Sequence, residues 1–210
     1  MKKILILLTF SFISIICSAH PHSWIDMKNN VLIEEGKLIG FQMEWTLDEM
    51  ASSSLIYEMK VSENKLETRK EITKDMQNTA ISNHYFSYLY DENNQPIKYT
   101  TKPKNTYFEI KNNQVIFHIT FYLTNPQEVK NRRFKLFTYE PSYYISMNYE
   151  DSNALLLSDV DRLCKLELKK PQINADLKEY ASNLDKSDNP DENLSLGAQF
   201  AQEVAIICKK

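Results

Sequence analysis

Three glycines in 210 residues exclude a good deal. Neither G-x-x-x-x-G-K nor G-x-G-x-x-G occurs, so the chain carries no P-loop and no dinucleotide fingerprint. G-x-S-x-G and H-E-x-x-H are also absent, which removes the nucleophile elbow and the helical zinc-protease motif. No two carboxylates sit at a defined separation, and the chain is expected not to be an enzyme. Basic charge is in deficit, 25 Lys and Arg against 28 Asp and Glu, which argues against nucleic acid or an anionic membrane as a partner. Beyond the first residues no apolar run approaches the roughly 20 residues that span a bilayer, so no stable membrane insertion of the mature chain is expected.

The one long apolar run is at the front. Met1-Lys2-Lys3 precedes an apolar stretch from Ile4 to Ile16, and Cys17-Ser18-Ala19 follows. That is a charged n-region, an h-region and a small-x-small cleavage site. Ile16 is too large for the residue that precedes a lipoprotein cysteine. Residues 1–19 are therefore read as a cleaved signal peptide and 20–210 as a single periplasmic domain, with an uncleaved anchor as the competing reading. Loss of Lys2 and Lys3 takes the formal charge from −3 to about −5.

Cysteine is scarce as well. Of the three, Cys17 leaves with the leader, and Cys164 and Cys208 remain as an even number in an oxidising compartment. They are expected to form a disulfide, with a pair of metal thiolates as the alternative.

Hydrophobic periodicity supplies the fold class. Residues 22–34 read as a strand, and "EEGK" turns the chain into a second, in which Ile39, Phe41, Met43 and Trp45 alternate with polar or small neighbours. Thr46 to Glu49 and Thr68 to Glu71 both have the capping-box form. The first opens a helix with Leu47, Met50, Ala51, Ser54, Leu55 and Met59 at helical spacing. The second opens one running to about Ser82, with Ile72, Met76 and Ala80 on one stripe. Strands follow at 85–90, at 106–111 paired with 114–123 across Asn112-Asn113, and at 132–139, 143–149 and 162–169. Residues 173–184 suit a short helix, and 203–208 a last strand that brings Cys208 beside Cys164. Asn183 to Asn193 reads as a surface loop. The expectation is an α+β chain with an antiparallel β-sandwich-like core, an inserted helical hairpin at about 47–83 and a short C-terminal helix.

Cleavage after Ala19 would make His20 the first residue, with a free α-amine beside its imidazole. The two can chelate one metal ion as a histidine brace, since an amine of ordinary pKa near 8 yields its proton to a divalent metal around neutral pH. On a strand, His22, Trp24 and Asp26 share a face. The amine, His20, His22 and a carboxylate such as Asp26 make the four-coordinate N/O set that zinc favours, and copper(II) and nickel compete for such nitrogen-rich sites. Pro21 has no amide proton, so the square-planar copper site that deprotonates the second and third amides cannot form in its usual version. Against this stands the simple reading of histidines at a frayed terminus.

Asp48 and Glu49 could complete a site, although acids in a first helical turn are explained by capping and the helix dipole. His84 sits at a helix-to-strand junction and could approach the terminus. His118 lies with Ile116, Thr120 and Tyr122 opposite the main apolar stripe, and no ligand role is expected for it. Trp24, Tyr139, Tyr143 and Tyr144 could line a pocket.

In order along the chain, "HPHSWID", "EWTLDEMAS", "YFSY", "YEPSYYISM", Cys164 and "GAQFAQEVAIIC" together resemble the ZevA-like family of periplasmic proteins, whose members are often labelled substrate-binding components of ABC transport. The resemblance implies a role beside an inner-membrane nickel/cobalt-type permease. Zinc acquisition is then the expected function, with nickel, cobalt or copper as other cargoes, and His20, His22 and Asp26 as the metal residues. Where relatives carry a calcium-loop-like "D-x-D-G-D-G", this chain has "KVSENKLETRKE", which lacks the oxygen ligands and turn glycine of a calcium loop. A copper-handling protein using the same brace, or a metal-free assembly partner of the permease, are the alternative expectations.

Overall fold

The computed structural model describes residues 21–158, 163–184 and 195–209. The expectations for the signal peptide and His20 fall outside them, as does the loop expected at 183–193 beyond its first two residues, of which Asn183 still belongs to a helix. A hairpin of β1 (Ser23–Glu34) and β2 (Lys37–Leu47) leads into α1 (Glu49–Val61) and α2 (Lys65–Ser82). The chain continues through β3 (Ser87–Tyr90), β4 (Pro96–Ile97), β5 (Lys104–Lys111), β6 (Gln114–Glu128), β7 (Arg133–Thr138) and β8 (Ile145–Asn148). After β9 (Leu155–Ser158) and β10 (Cys164–Lys169) come α3 (Ala175–Asn183), α4 (Leu196–Phe200) and β11 (Glu203–Cys208).

One sheet runs β5-β6-β2-β1-β8, with β9 also on β1, and the other runs β10-β11-β7-β3-β4. The alternation in β6 buries Val115, Phe117, Ile119, Phe121 and Leu123, which share one core with Leu89, Leu136, Val204 and Ile206 of the second sheet. Asn112 and Asn113 both take positive φ and close the β5–β6 hairpin, as expected of a two-residue turn that matches strand twist. Cys164 and Cys208 are register partners across β10 and β11 and form the expected disulfide. The α+β reading with its inserted helical hairpin therefore holds. Its antiparallel pairing breaks at one place, because β1 runs parallel to both β8 and β9. β8 arrives from β7 of the other sheet and β9 follows β8, so neither reaches β1 through a hairpin and antiparallel direction is not imposed on them.

Both helix starts differ from the capping-box reading. Thr46 stays in the ladder, paired with Asp26 and Ile116, and Asp48 caps α1 by accepting from the Ala51 amide. Asn64 caps α2 through Glu67, four residues before Thr68, whose hydroxyl instead meets that of Ser62. A strand ladder and an Asn side chain each outcompete the threonine for these roles. The core-facing side of α1 keeps Ala51, Leu55 and Met59 of the expected stripe but adds Ser52, which is buried, and loses Met50, which is 81% exposed. Ser52 fixes that phase, donating to the Leu47 carbonyl and accepting from the Val115 amide. Met50, Tyr57 and Val61 are left as an exposed apolar stripe. In β2 a register shift between Leu38 and Gly40 places Leu38 in the core and leaves Ile39 half-buried.

Between α2 and β3, His84, Tyr85 and Phe86 all take φ near +50°. Left-handed backbone costs a non-glycine residue about 1 kcal/mol or more, so three in succession need strong anchors. The Tyr85 ring stacks on Phe121 at 4.3 Å, its hydroxyl donates to the Thr100 carbonyl, and the Phe86 carbonyl accepts from the Tyr139 amide.

Candidate functional site

The described chain is tied down from His22 onward. The His22 amide donates to the Tyr144 carbonyl at 2.9 Å, the Ser23 amide shares that acceptor at 3.3 Å, and the His22 and Tyr144 rings lie 4.7 Å apart. Directly afterwards the chain enters β1, an interior strand paired with β2 on one side and with β8 and β9 on the other. The opposite rim is held by Asp48. Its carboxylate accepts from the Ser23 hydroxyl at 2.5 Å, the Trp24 amide at 2.9 Å and the Ala51 amide at 2.9 Å, and the Asp48 amide returns a bond to the Trp24 carbonyl.

Tyr144 is itself presented by a locked loop. The Glu140 carboxylate accepts from the amide and hydroxyl of Ser142 and from the Tyr144 amide. This carboxylate-centred turn lets Tyr143 adopt φ +62°, with its ring stacked on Phe200 of α4 at 4.1 Å. The Gly197 amide donates to the Pro141 carbonyl, and the Tyr139 ring stacks on Tyr88 at 4.3 Å. Burial pushes the Tyr139 hydroxyl up to about 12, so it is neutral throughout the physiological range. "YEPSYY" and "GAQF", far apart in sequence, thus make one platform beneath His22 and the start of β1.

The candidate residues separate accordingly. His22 and Tyr144 meet. Trp24 and Asp26 project from the outer face of β1 and are exposed, but a strand rise of about 3.3 Å per residue puts Asp26 about 10 Å beyond Ser23. Asp48 is committed to three donors, and Glu49 is exposed at the first turn of α1. His84 is exposed at the rim of a cavity beside β3 and β4. Tyr139, Tyr143 and Tyr144 share a loop and contact three different neighbours. Among the described residues no three His, Cys, Asp or Glu side chains converge into a group that could hold a metal ion. Glu140 and Gly197, which build the platform, lie within the "YEPSYYISM" and "GAQFAQEVAIIC" stretches, but the sequence alone assigns neither a role; the Glu-Pro-Ser sequence, a turn former with an acceptor two residues ahead of a serine, was the available signal. His118, on the outer face as expected, is nonetheless 8% exposed, stacked on Tyr107 and 3.3 Å from Glu109.

Asp48 yields a pH prediction. Burial by itself would raise its pKa, but hydrogen bonds from Ser23 and from the Ala51, Trp24 and Met50 amides outweigh it and hold the carboxyl below its ordinary 3.8. A depressed carboxyl stabilises the fold fully above the ordinary value, and that contribution disappears as pH falls through the lower folded value. Asp48→Asn keeps a capping side chain but loses the charge-assisted bonds, and should cost about 1 kcal/mol at pH 7. In urea titrations the gap between wild type and variant should close below about pH 4; a gap that persists at pH 2 would assign the loss to packing instead.

The profile of a family described as protein of unknown function (DUF1007) matches residues 5–208. The chain is 40% identical over 198 residues to an uncharacterized protein of Haemophilus influenzae, covering 94% of this chain and 95% of that one. No solved structure matches the chain.

Proposed function

Given that the chain belongs to this DUF1007 family of proteins of unknown function, we propose that it is a periplasmic metal-binding accessory protein that captures zinc, or a related divalent ion, at its mature N-terminus and passes it to an inner-membrane permease. The observation that carries this reading is the anchoring of His22. Its amide and ring are fixed against Tyr144 at the root of an interior strand, which is the opposite of a frayed terminus. A ligand on a rigid element holds its geometry better than one on a mobile tail.

The remaining donors come from the residue two positions earlier, the amine and imidazole of His20. Asp26 lies well down the strand and Asp48 is already saturated, so water completes the set more readily than either carboxylate. A site of three nitrogens and water at a rim is open to exchange, which suits hand-over rather than storage. The disulfide fits the oxidising compartment that this reading requires. No helix among the described residues is long and apolar enough to cross a membrane; in this reading the membrane passage belongs to the permease.

Zinc titration by calorimetry tests the proposal on protein beginning at His20 and on protein with one alanine placed before it. Adding the alanine removes the amine-imidazole chelate and should weaken zinc binding roughly 100-fold or more, while leaving the melting temperature of the metal-free protein unchanged. Equal affinity for the two proteins would sink the brace. Parallel copper(II) titration, with an oxidase assay, distinguishes zinc cargo from copper handling.

A further inference from the structure

The second sheet carries a separate cavity of about 470 Å³, within the range of small-ligand sites. Its construction is unusual. Residues 98–100 cross from β4 to the other sheet, with the Thr124 amide donating to Lys98, the Thr100 amide donating to Tyr122, and a bridge between Tyr99 and Leu123. This strap forms one wall, β3 and β4 form another, and the left-handed turn at His84 and Tyr85 closes the end.

The lining is aromatic and apolar, with Tyr85, Tyr90 and Tyr99 around Leu89 and Ile97. Tyr99 meets Tyr85 edge-on at 5.8 Å and Phe121 at 5.0 Å. Its hydroxyl is buried without a hydrogen-bond partner among the described residues, an uncompensated polar group in a wall that is otherwise well packed. Lys98 and His84, both exposed lining residues, stand at the mouth. The strained turn adds a third observation: successive left-handed residues persist where the surroundings over-determine them, and such strain clusters at ligand sites.

We infer that this cavity binds a small aromatic acid, with its ring among the tyrosines and its anionic group at Lys98 and His84. Aromatic walls favour a flat ring through edge-to-face contact, and two basic side chains at the opening select a carboxylate or sulfonate over a neutral or cationic head. This site is distinct from the N-terminal metal reading and does not depend on it.

The probe is 8-anilinonaphthalene-1-sulfonate, an aromatic sulfonate, titrated by fluorescence into the folded, disulfide-bonded protein. Saturable one-to-one binding with blue-shifted emission is expected. Ile97→Trp, in a two-residue edge strand, should fill the cavity and abolish it, and Lys98→Glu should weaken it several-fold. Lys98 is exposed, so that variant keeps the test decisive even where the tryptophan perturbs folding. Met50→Ser with Tyr57→Ser on the exposed stripe of α1 should leave binding unchanged. Non-saturable binding, loss of signal in the α1 variant, or indifference to Lys98→Glu with Ile97→Trp folded would each overturn the assignment.

Discussion

Gly197→Ala is expected to lower stability by about 3 kcal/mol and to release the start of β1 from its platform. A Cβ on Gly197 would stand 1.9 Å from the Glu140 carbonyl oxygen and 2.9 Å from its carbonyl carbon. Both are backbone atoms of a loop whose carboxylate already holds three donors, so neither can swing aside as the end of a flexible side chain would. Relief must come from moving α4 or the whole Tyr139–Tyr144 loop, and either motion shifts the carbonyl that receives His22 and Ser23. Urea denaturation measures the first effect, and amide exchange at Ser23 and Trp24 measures the second. A loss below about 1 kcal/mol would mean that the loop yields freely. Gly40→Ala is the useful comparison. Its Cβ would meet the Phe121 carbonyl at 2.2 Å, deep in the β2–β6 ladder, so its cost should be similar but without selective loss of protection at β1's first residues.

Breaking the Cys164–Cys208 bond should cost up to about 4 kcal/mol, by the chain-entropy account of a loop closed over a sequence separation of 44. The bond joins β10, at the sheet's edge, to β11, which lies between β10 and β7. Backbone bonds surround it: the Lys209 amide donates to Leu163 and the Cys208 amide to Arg132. Those bonds keep the native strands aligned after reduction, so most of the loss arises from the freed unfolded chain rather than from rearrangement of the fold. Dithiothreitol, or the Cys164→Ala, Cys208→Ala double variant, should lower the melting temperature by roughly 10 °C for a chain of this length. A change of less than 2 °C would show that the unfolded state stays compact without the link.

Much of this architecture is legible in the sequence. The β6 stripe, the Asn112-Asn113 turn and the meeting of the two cysteines rest on local alternation or on simple counting, and those signals survive folding. Helix starts did not survive. Thr46 has the right spacing to Glu49, yet its backbone belongs to a ladder with partners on both sides, and a local motif carries no information about them. The face of α1 was legible in part: Ala51, Leu55 and Met59 meet the core as expected, whereas Met50 turns outward because one buried hydroxyl, that of Ser52, sets the rotation and a serine counts as polar in any periodicity reading. The platform was illegible for a stronger reason. Glu140 and Gly197 are brought together by β11 and α4 returning from the far end of the chain, and neither residue announces the other. His22 was legible as a candidate, but its anchoring was not, since the acceptor is a main-chain carbonyl whose position only the assembled fold defines.

The interior position of β1 has a kinetic consequence. Ser23 and Trp24 pair with Ile145 and Ser146, and Asn29 to Leu32 pair with Leu155 to Ser158, so the first strand made cannot be flanked on both sides until three-quarters of the polypeptide has appeared. Such high contact order slows the search for the native topology. The β1–β2 hairpin, able to form early, exposes an unpaired edge throughout that interval, a template for pairing with other chains. A newly emerged molecule therefore has a window in which it is vulnerable to aggregation, and that window closes only when β8 and β9 dock and the Tyr144 carbonyl arrives to receive the His22 and Ser23 amides.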